Sequence, residues 1–150
     1  FSKSSVKQLH AVGLPILSNK VDIANARIEF LSGCVANLTA SRVSTEKVRK
    51  LRFFQPNQYV SLDFSRQDVV ILSIEKKENE VQPGILPLKI ETPGLEPLKL
   101  EIQSFLKCVQ TRSQPEVNPE SSKAALELAM QVVTRIQEHN YSLSLPLNKV

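Results

Sequence analysis

The alternation of polar and apolar positions is clearest over Val21–Ser41, where it predicts a hairpin of two strands closed at Leu31-Ser32-Gly33. Asp22, Ala24, Ala26, Ile28 and Phe30 share one face of the first strand, and Cys34, Ala36, Leu38, Ala40 and Arg42 one face of the second. A three-residue loop sets Phe30 opposite Cys34, Ile28 opposite Ala36, Ala26 opposite Leu38 and Ala24 opposite Ala40, so the small and apolar residues gather on one side. A two-residue loop would set Ala against Asn, because a slip of one residue turns every side chain over. Gly33 stands where such a loop needs a positive φ. The reverse face pairs Ile23 with Ser41, Asn25 with Thr39, Arg27 with Asn37 and Glu29 with Val35. It is polar without being simply charged, the character of a face that meets another molecule.

The same reading extends along the chain. Ser4–Leu14 alternates weakly and predicts a strand ending near Pro15. Val48–Gln55 and Gln58–Phe64 pair across Pro56-Asn57, with Phe53–Val60 and Leu51–Leu62 on an apolar face. Phe54–Tyr59, Arg52–Ser61 and Lys50–Asp63 lie on the reverse, the last an opposite-charge pair. Pro56 cannot supply a positive φ, so a turn somewhat longer than two residues is expected. Asp68–Lys76 is apolar on both faces and reads as a central or covered strand. A charged loop leads to Gly84, and Pro87 within the strand Ile85–Glu91 implies a sheet edge or a break.

The period then becomes helical. Pro97–Thr111 lines up Leu98, Ile102, Phe105, Leu106 and Val109. Asn118-Pro119-Glu120 is a helix start, with an Asn cap, Pro in the first turn and an acid beside it. Ala125, Leu128, Ala129, Val132, Val133 and Ile136 form the stripe of this second helix, which ends near His139-Asn140. Tyr141–Val150 reads as an extended arm, against the sheet or a partner. Strands first and helices after imply an α+β fold: a largely antiparallel, open-faced β-sheet with two C-terminal helices packed on one face. The uncovered face would carry Asn25, Arg27, Asn37, Thr39, Phe54 and Tyr59, and is expected to join copies of the chain into a homo-oligomer.

Composition narrows the function classes. With 150 residues and 41% hydrophobic positions, one domain is expected. No apolar run approaches the ~20 residues of a membrane helix, and no signal-peptide pattern is present. The chain begins with Phe1 and reads as a piece of a longer protein. The net charge of +4 is mild. The densest basic run, Lys47, Arg49, Lys50 and Arg52, alternates faces on a strand, and there is no Trp, so nucleic-acid binding is not expected. Cys34, on the core side of a strand, and Cys108, in a helix, read as buried thiols in a reducing, cytoplasmic compartment. His10 and His139 match no metal-ligand spacing; His10 reads as a surface or interface residue.

Three stretches carry a resemblance: VDIANARIEFLSGCVANLTASR, RFFQPNQYVSLDF, and LEIQSFLKCVQ followed by PEVNPESSKAALELA. In this order across Val6–His139, the chain resembles the C-terminal domain of the Gfo/Idh/MocA family of NAD(P)-dependent oxidoreductases. The hairpin is worded most like the branch that oxidises nucleotide-activated amino sugars. The resemblance implies a substrate wall and oligomerisation sheet that follow an N-terminal Rossmann domain, with NAD or NADP bound in the full-length protein and a sugar or nucleotide sugar as substrate. It implies no catalytic or cofactor residue here. The four glycines, Gly13, Gly33, Gly84 and Gly94, are too scattered to cradle a pyrophosphate, and the family's Glu-Lys-Pro motif is absent.

Two residues are singled out as substrate-binding, Arg42 and Asp22. A cross-strand ion pair is one reading of them. The other is a contact to a substrate phosphate or carboxylate, which a guanidinium fork suits. A non-catalytic, dimerising interaction module is the alternative function.

Overall fold

The computed structural model describes residues 4–75, 84–91 and 94–142. The strands are β1 (Val6–Leu14), β2 (Ile23–Phe30), β3 (Val35–Ser41), β4 (Lys50–Gln55), β5 (Gln58–Asp63), β6 (Asp68–Glu75) and β7 (Gly84–Glu91), followed by helices α1 (Pro97–Thr111) and α2 (Pro119–Ser142). The α+β order and the antiparallel pairing are as expected. The strands divide between two sheets, β1-β2-β3 and β4-β5-β6-β7. They belong to two compact units, Phe1–Thr45 with Gln114–Val150, and Glu46–Ser113.

In the first unit β2 pairs β3 in the expected register, Ala24 with Ala40, Ala26 with Leu38 and Ile28 with Ala36. Gly33 takes φ 84°, and its N–H donates to Phe30 O at 2.9 Å, closing the three-residue loop. β1 lies on the other side of β2, Ala11 against Ala26 and Gly13 against Ala24. Helix α2 packs over β1. Ile136, Ala11 and Ala26 form the core there, flanked by Leu9, Val21, Ala24 and Val132. Small strand residues let the helix come close: a Cβ on Gly13 would stand 2.7 Å from Val21 Cγ1 and 2.9 Å from Ile136 Cγ2. The Asn118 cap is formed, its Oδ1 accepting from Ser121 N–H at 2.8 Å. At the far end of α2 the buried Asn140 donates from Nδ2 to Gly13 O at 2.9 Å.

In the second unit β4 and β5 pair as expected, from Gln55–Gln58 to Lys50–Asp63. The turn is two residues, not longer, because Asn57 rather than Pro56 takes the positive φ, 62°. β7 is the edge strand that Pro87 foretold. Helix α1 runs over the expected residues, yet none of its residues is buried. Of the stripe expected on α2, Ile136 is buried, Leu128 and Val132 are half-buried, and Ala125, Ala129 and Val133 are exposed.

Cys34 is a further correction. It stands in the turn before β3 and is exposed, so its thiol is not buried. Cys108 is half-buried in α1. No helix among the described residues is long and apolar enough to cross a membrane. The arm 143–150 and the charged loop 76–83 lie outside the described residues.

Candidate functional site

Between β1 and β2 the chain makes a loop, 15–22, that wraps around one carboxylate. Asp22 is 4% exposed. Its Oδ2 accepts three consecutive backbone N–H groups, from Ile16 at 2.7 Å, Leu17 at 2.7 Å and Ser18 at 3.0 Å. Its Oδ1 accepts the Ser18 hydroxyl at 3.2 Å and the Nε–H of Arg42. Pro15 bends the chain out of β1, and the successive N–H groups of the following turn converge as they do around an anion. The Ile16 N–H is the chief cause that holds the Asp22 carboxyl far below the usual carboxylate range. Burial opposes it, and the Leu17 and Ser18 N–H groups and Arg42 add to it.

Arg42 follows the last residue of β3, and its N–H donates to Asp22 O at 3.0 Å. The side chain uses one edge of its fork inward, Nε to Asp22 and Nη2 to Ser18 Oγ at 2.7 Å. It is still 54% exposed. Both readings of the pair are therefore open in geometry. The ion pair exists, and it aims a half-exposed guanidinium into a cleft of about 390 Å³ lined by Leu17, Ser18, Asn19, Lys20, Asp22 and Arg42. The sequence reading named Arg42 and Asp22 and missed Ser18 and Lys20. The sequence offered only a short polar Ser18-Asn19-Lys20 stretch shortly before Asp22, which does not by itself place either side chain at a site.

The other predicted residues fall into two groups. On the exposed face of the first sheet, Arg27 Nη1 donates to Asn37 Oδ1 at 3.0 Å and Thr39 Oγ1 to Asn25 Oδ1 at 2.8 Å. These are the cross-strand pairs that the register demands. In the second unit Phe54 and Tyr59 face each other across β4 and β5 with ring centroids 5.0 Å apart, and Phe54 is 79% exposed.

The two histidines, distant in sequence, line one groove between β1 and α2, together with Lys7, Thr134, Arg135 and Glu138. Its charges are largely spoken for: Arg135 pairs with Glu138 at 2.8 Å and Lys7 with Glu29 at 2.6 Å. Among the described residues, no group of three or more His, Cys, Asp or Glu could hold a metal ion.

No protein-family model matches the chain. It is 28% identical over 129 residues to the UDP-N-acetylglucosamine 3-dehydrogenase of Acidithiobacillus ferrooxidans, a match that covers 86% of this chain and 41% of that enzyme. The crystal structure of the same enzyme, GnnA, superposes with a TM-score of 0.79 at 26% identity, over 90% of this chain and 42% of that one. A second crystal form gives 0.76. This chain resembles a Gfo/Idh/MocA-type oxidoreductase. The resemblance spans about two fifths of that dehydrogenase's length. The aldose-aldose oxidoreductase of Caulobacter crescentus, solved with glycerol, shares the fold at a TM-score of 0.63 and 19% identity, over 87% of this chain and 39% of that one.

Proposed function

We propose that this chain is the C-terminal, substrate-binding and oligomerisation domain of an NAD(P)-dependent oxidoreductase that acts on a sugar or nucleotide sugar. The supporting observation is the likeness to a UDP-N-acetylglucosamine 3-dehydrogenase over nine tenths of the chain. The reaction would remove a hydride from a sugar carbinol, with the dinucleotide as acceptor and the base supplied by a Rossmann domain outside this sequence. Arg42 would hold the substrate's anionic group, and Asp22, both of its oxygens engaged within the chain, would fix the guanidinium in place.

The residues here do not fit a dinucleotide. Gly13 sits near the end of β1 with no room for a Cβ, Gly33 closes a hairpin, and Gly94 precedes a helix that opens on Pro97. None forms the strand, glycine loop and helix N-terminus that cradle a pyrophosphate. The chain's own part is therefore to bind and orient substrate, and alone it would not transfer hydride.

The decisive experiment joins this chain to the coding sequence upstream of Phe1 and assays NAD and NADP reduction with UDP-sugars and free aldoses. Turnover by the long chain and none by the short one is the expected result. A start codon immediately before the Phe1 codon, or an upstream segment without a dinucleotide fold, would sink the reading. The open faces support an oligomer, and also the second reading, a non-catalytic dimerising module. Asn25, Arg27, Asn37 and Thr39 satisfy one another in exposed pairs, and the exposed Phe54 packs tilted against the half-buried Tyr59. Replacing Arg27 and Tyr59 together by Ala should shift light scattering toward smaller species; unchanged association would move the interface elsewhere.

A further inference from the structure

The loop around Asp22 has a feature that the ion pair does not account for. The carboxylate already receives three backbone N–H groups and a hydroxyl, a set that stabilises the anion without help from Arg42. Arg42 is nevertheless clamped on one edge, by Asp22 and by Ser18, while half of it stays exposed. A surface ion pair has no need of such a second clamp, whereas a guanidinium that must present its outer edge in one orientation does. Lys20 lies on the same cleft. It is exposed, and no acid among the described residues stands within ion-pair distance of it. Asn19, between Ser18 and Lys20 in sequence, adds an amide to the rim. The cleft therefore presents two cations and one carboxylate that is already fully bonded, so its net demand is for an anion with more than one negative oxygen.

We propose that this cleft is a diphosphate subsite, with Arg42 and Lys20 as its two cations, and that it takes the diphosphate of a nucleotide sugar. The assignment to a nucleotide sugar rests on the substrate reading above; the affinity for a diphosphate does not. Arg42 meets one phosphate with the outer edge of its fork, and Lys20 supplies a movable point charge to the other. Asp22 and Ser18 act as positioning residues. The cleft of about 390 Å³ admits a diphosphate and leaves it open to solvent, so the interaction depends on salt.

The test titrates the 150-residue chain with inorganic pyrophosphate, followed by amide chemical shifts. Expected are saturable shifts at Ser18, Asn19, Lys20 and Arg42, weaker ones with orthophosphate, and loss of affinity as salt rises. Lys20→Ala should weaken pyrophosphate at least about fivefold with an unchanged fold, since the side chain is exposed. Arg42→Lys keeps the charge and loses the fork, and should weaken it further; if that variant unfolds, the Lys20→Ala result still decides. No shifts at these amides, or equal binding by wild type and Lys20→Ala, would overturn the subsite. UDP should bind more tightly than NAD; NAD binding as well as UDP would overturn the nucleotide-sugar source. An inactive long chain would defeat the oxidoreductase reading and leave the pyrophosphate result intact. Absent pyrophosphate binding with an active long chain would do the reverse.

Discussion

The two units use helices of similar pattern with opposite results. In the first, α2 sets Ile136, 4% exposed, against Ala11 and Ala26. In the second, α1 carries Leu98, Ile102, Phe105, Leu106 and Val109 at helical spacing and buries none of them. An apolar stripe on a helix states that something must be covered, and does not say where. The strands decide it. β1 and β2 offer Ala11, Gly13, Ala24 and Ala26, which let a helix approach closely, and Asn140 then bonds the helix end to the Gly13 carbonyl. β4, β5 and β6 offer half-buried Phe, Val, Leu and Ile instead, with no matching small-residue seat.

The largest effect expected separates these two helices directly. Ile136→Ala should destabilise the first unit by about 2–5 kcal/mol, the cost of a deleted core side chain and the cavity left behind. Phe105→Ala, at a position 64% exposed, should stay within about 0.5 kcal/mol. Urea midpoints measure both. A Phe105→Ala loss as large as that of Ile136→Ala would mean that α1 is covered in solution, and the contrast would fail.

A second pair of substitutions sharpens the account of why α2 seats so closely. Gly13→Ala brings a methyl to 2.7 Å from Val21 Cγ1 and 2.9 Å from Ile136 Cγ2, both on stiff β-branched side chains. About 1–3 kcal/mol of overpacking is expected. Gly94→Ala meets nothing within 4 Å, and should leave the urea midpoint nearly unchanged. Equal effects would show that close approach is not what seats the helix.

Strand register was legible in the sequence because period-2 alternation and turn chemistry agree. Gly33 and the Ala-rich face allow one pairing of β2 with β3, and Phe53–Val60 with Leu51–Leu62 one pairing of β4 with β5. The Asn118-Pro119 start was legible for the same local reason. The division into two sheets was not, since alternation within a strand carries no word on which strands stay apart. The exposure of Cys34 was missed because α2 packs over β1 and leaves the same face of β3 open, with Leu38 and Ala40 exposed as well, and alternation does not say how far a covering helix reaches. Of the candidate site, Arg42 and Asp22 could be found from their opposed ends of one hairpin. Ser18 could not, and neither, outside the site, could Asn140. Ser18 acts through a loop conformation, and Asn140 lies 127 residues from its partner Gly13.

A smaller effect is expected with pH. Asp22 and Asp63 both have lowered carboxyl pKa values, one in each unit. Asp63 owes its shift first to the Arg66 N–H, with Lys50 and the Ser65 N–H adding and burial opposing. A group whose folded value is depressed stabilises the fold above its unfolded value, about 3.9, and that contribution is lost as the pH falls through the folded value. Both units should therefore weaken below about pH 4. The first should show the larger part, because Asp22 is the more enclosed and collects more donors. Asp22→Asn should reduce the slope of the urea midpoint against pH between 5 and 2, while Asp63→Asn should reduce it less. Identical slopes for wild type and Asp22→Asn would remove Asp22 from the account.

The smallest effect bears on the open face of the first sheet. Thr39 Oγ1 donates to Asn25 Oδ1 at 2.8 Å, in a row of exposed cross-strand pairs beside Arg27 and Asn37. Water can replace that bond when it is removed, and a valine keeps the β-branched shape. Thr39→Val should therefore change stability by less than about 0.5 kcal/mol in dilute solution. The same substitution leaves Asn25 without its partner on a surface proposed to meet a second copy. There, between two chains, water is no longer freely available to take its place, and an unsatisfied amide costs more than it does in the open. The expected signature is a split: an unchanged urea midpoint at low concentration together with weaker self-association by light scattering. A midpoint that falls well beyond 0.5 kcal/mol at low concentration would show that this face is covered within a single chain. It would then belong with the α2 side of the molecule, and not with the surfaces left open for another.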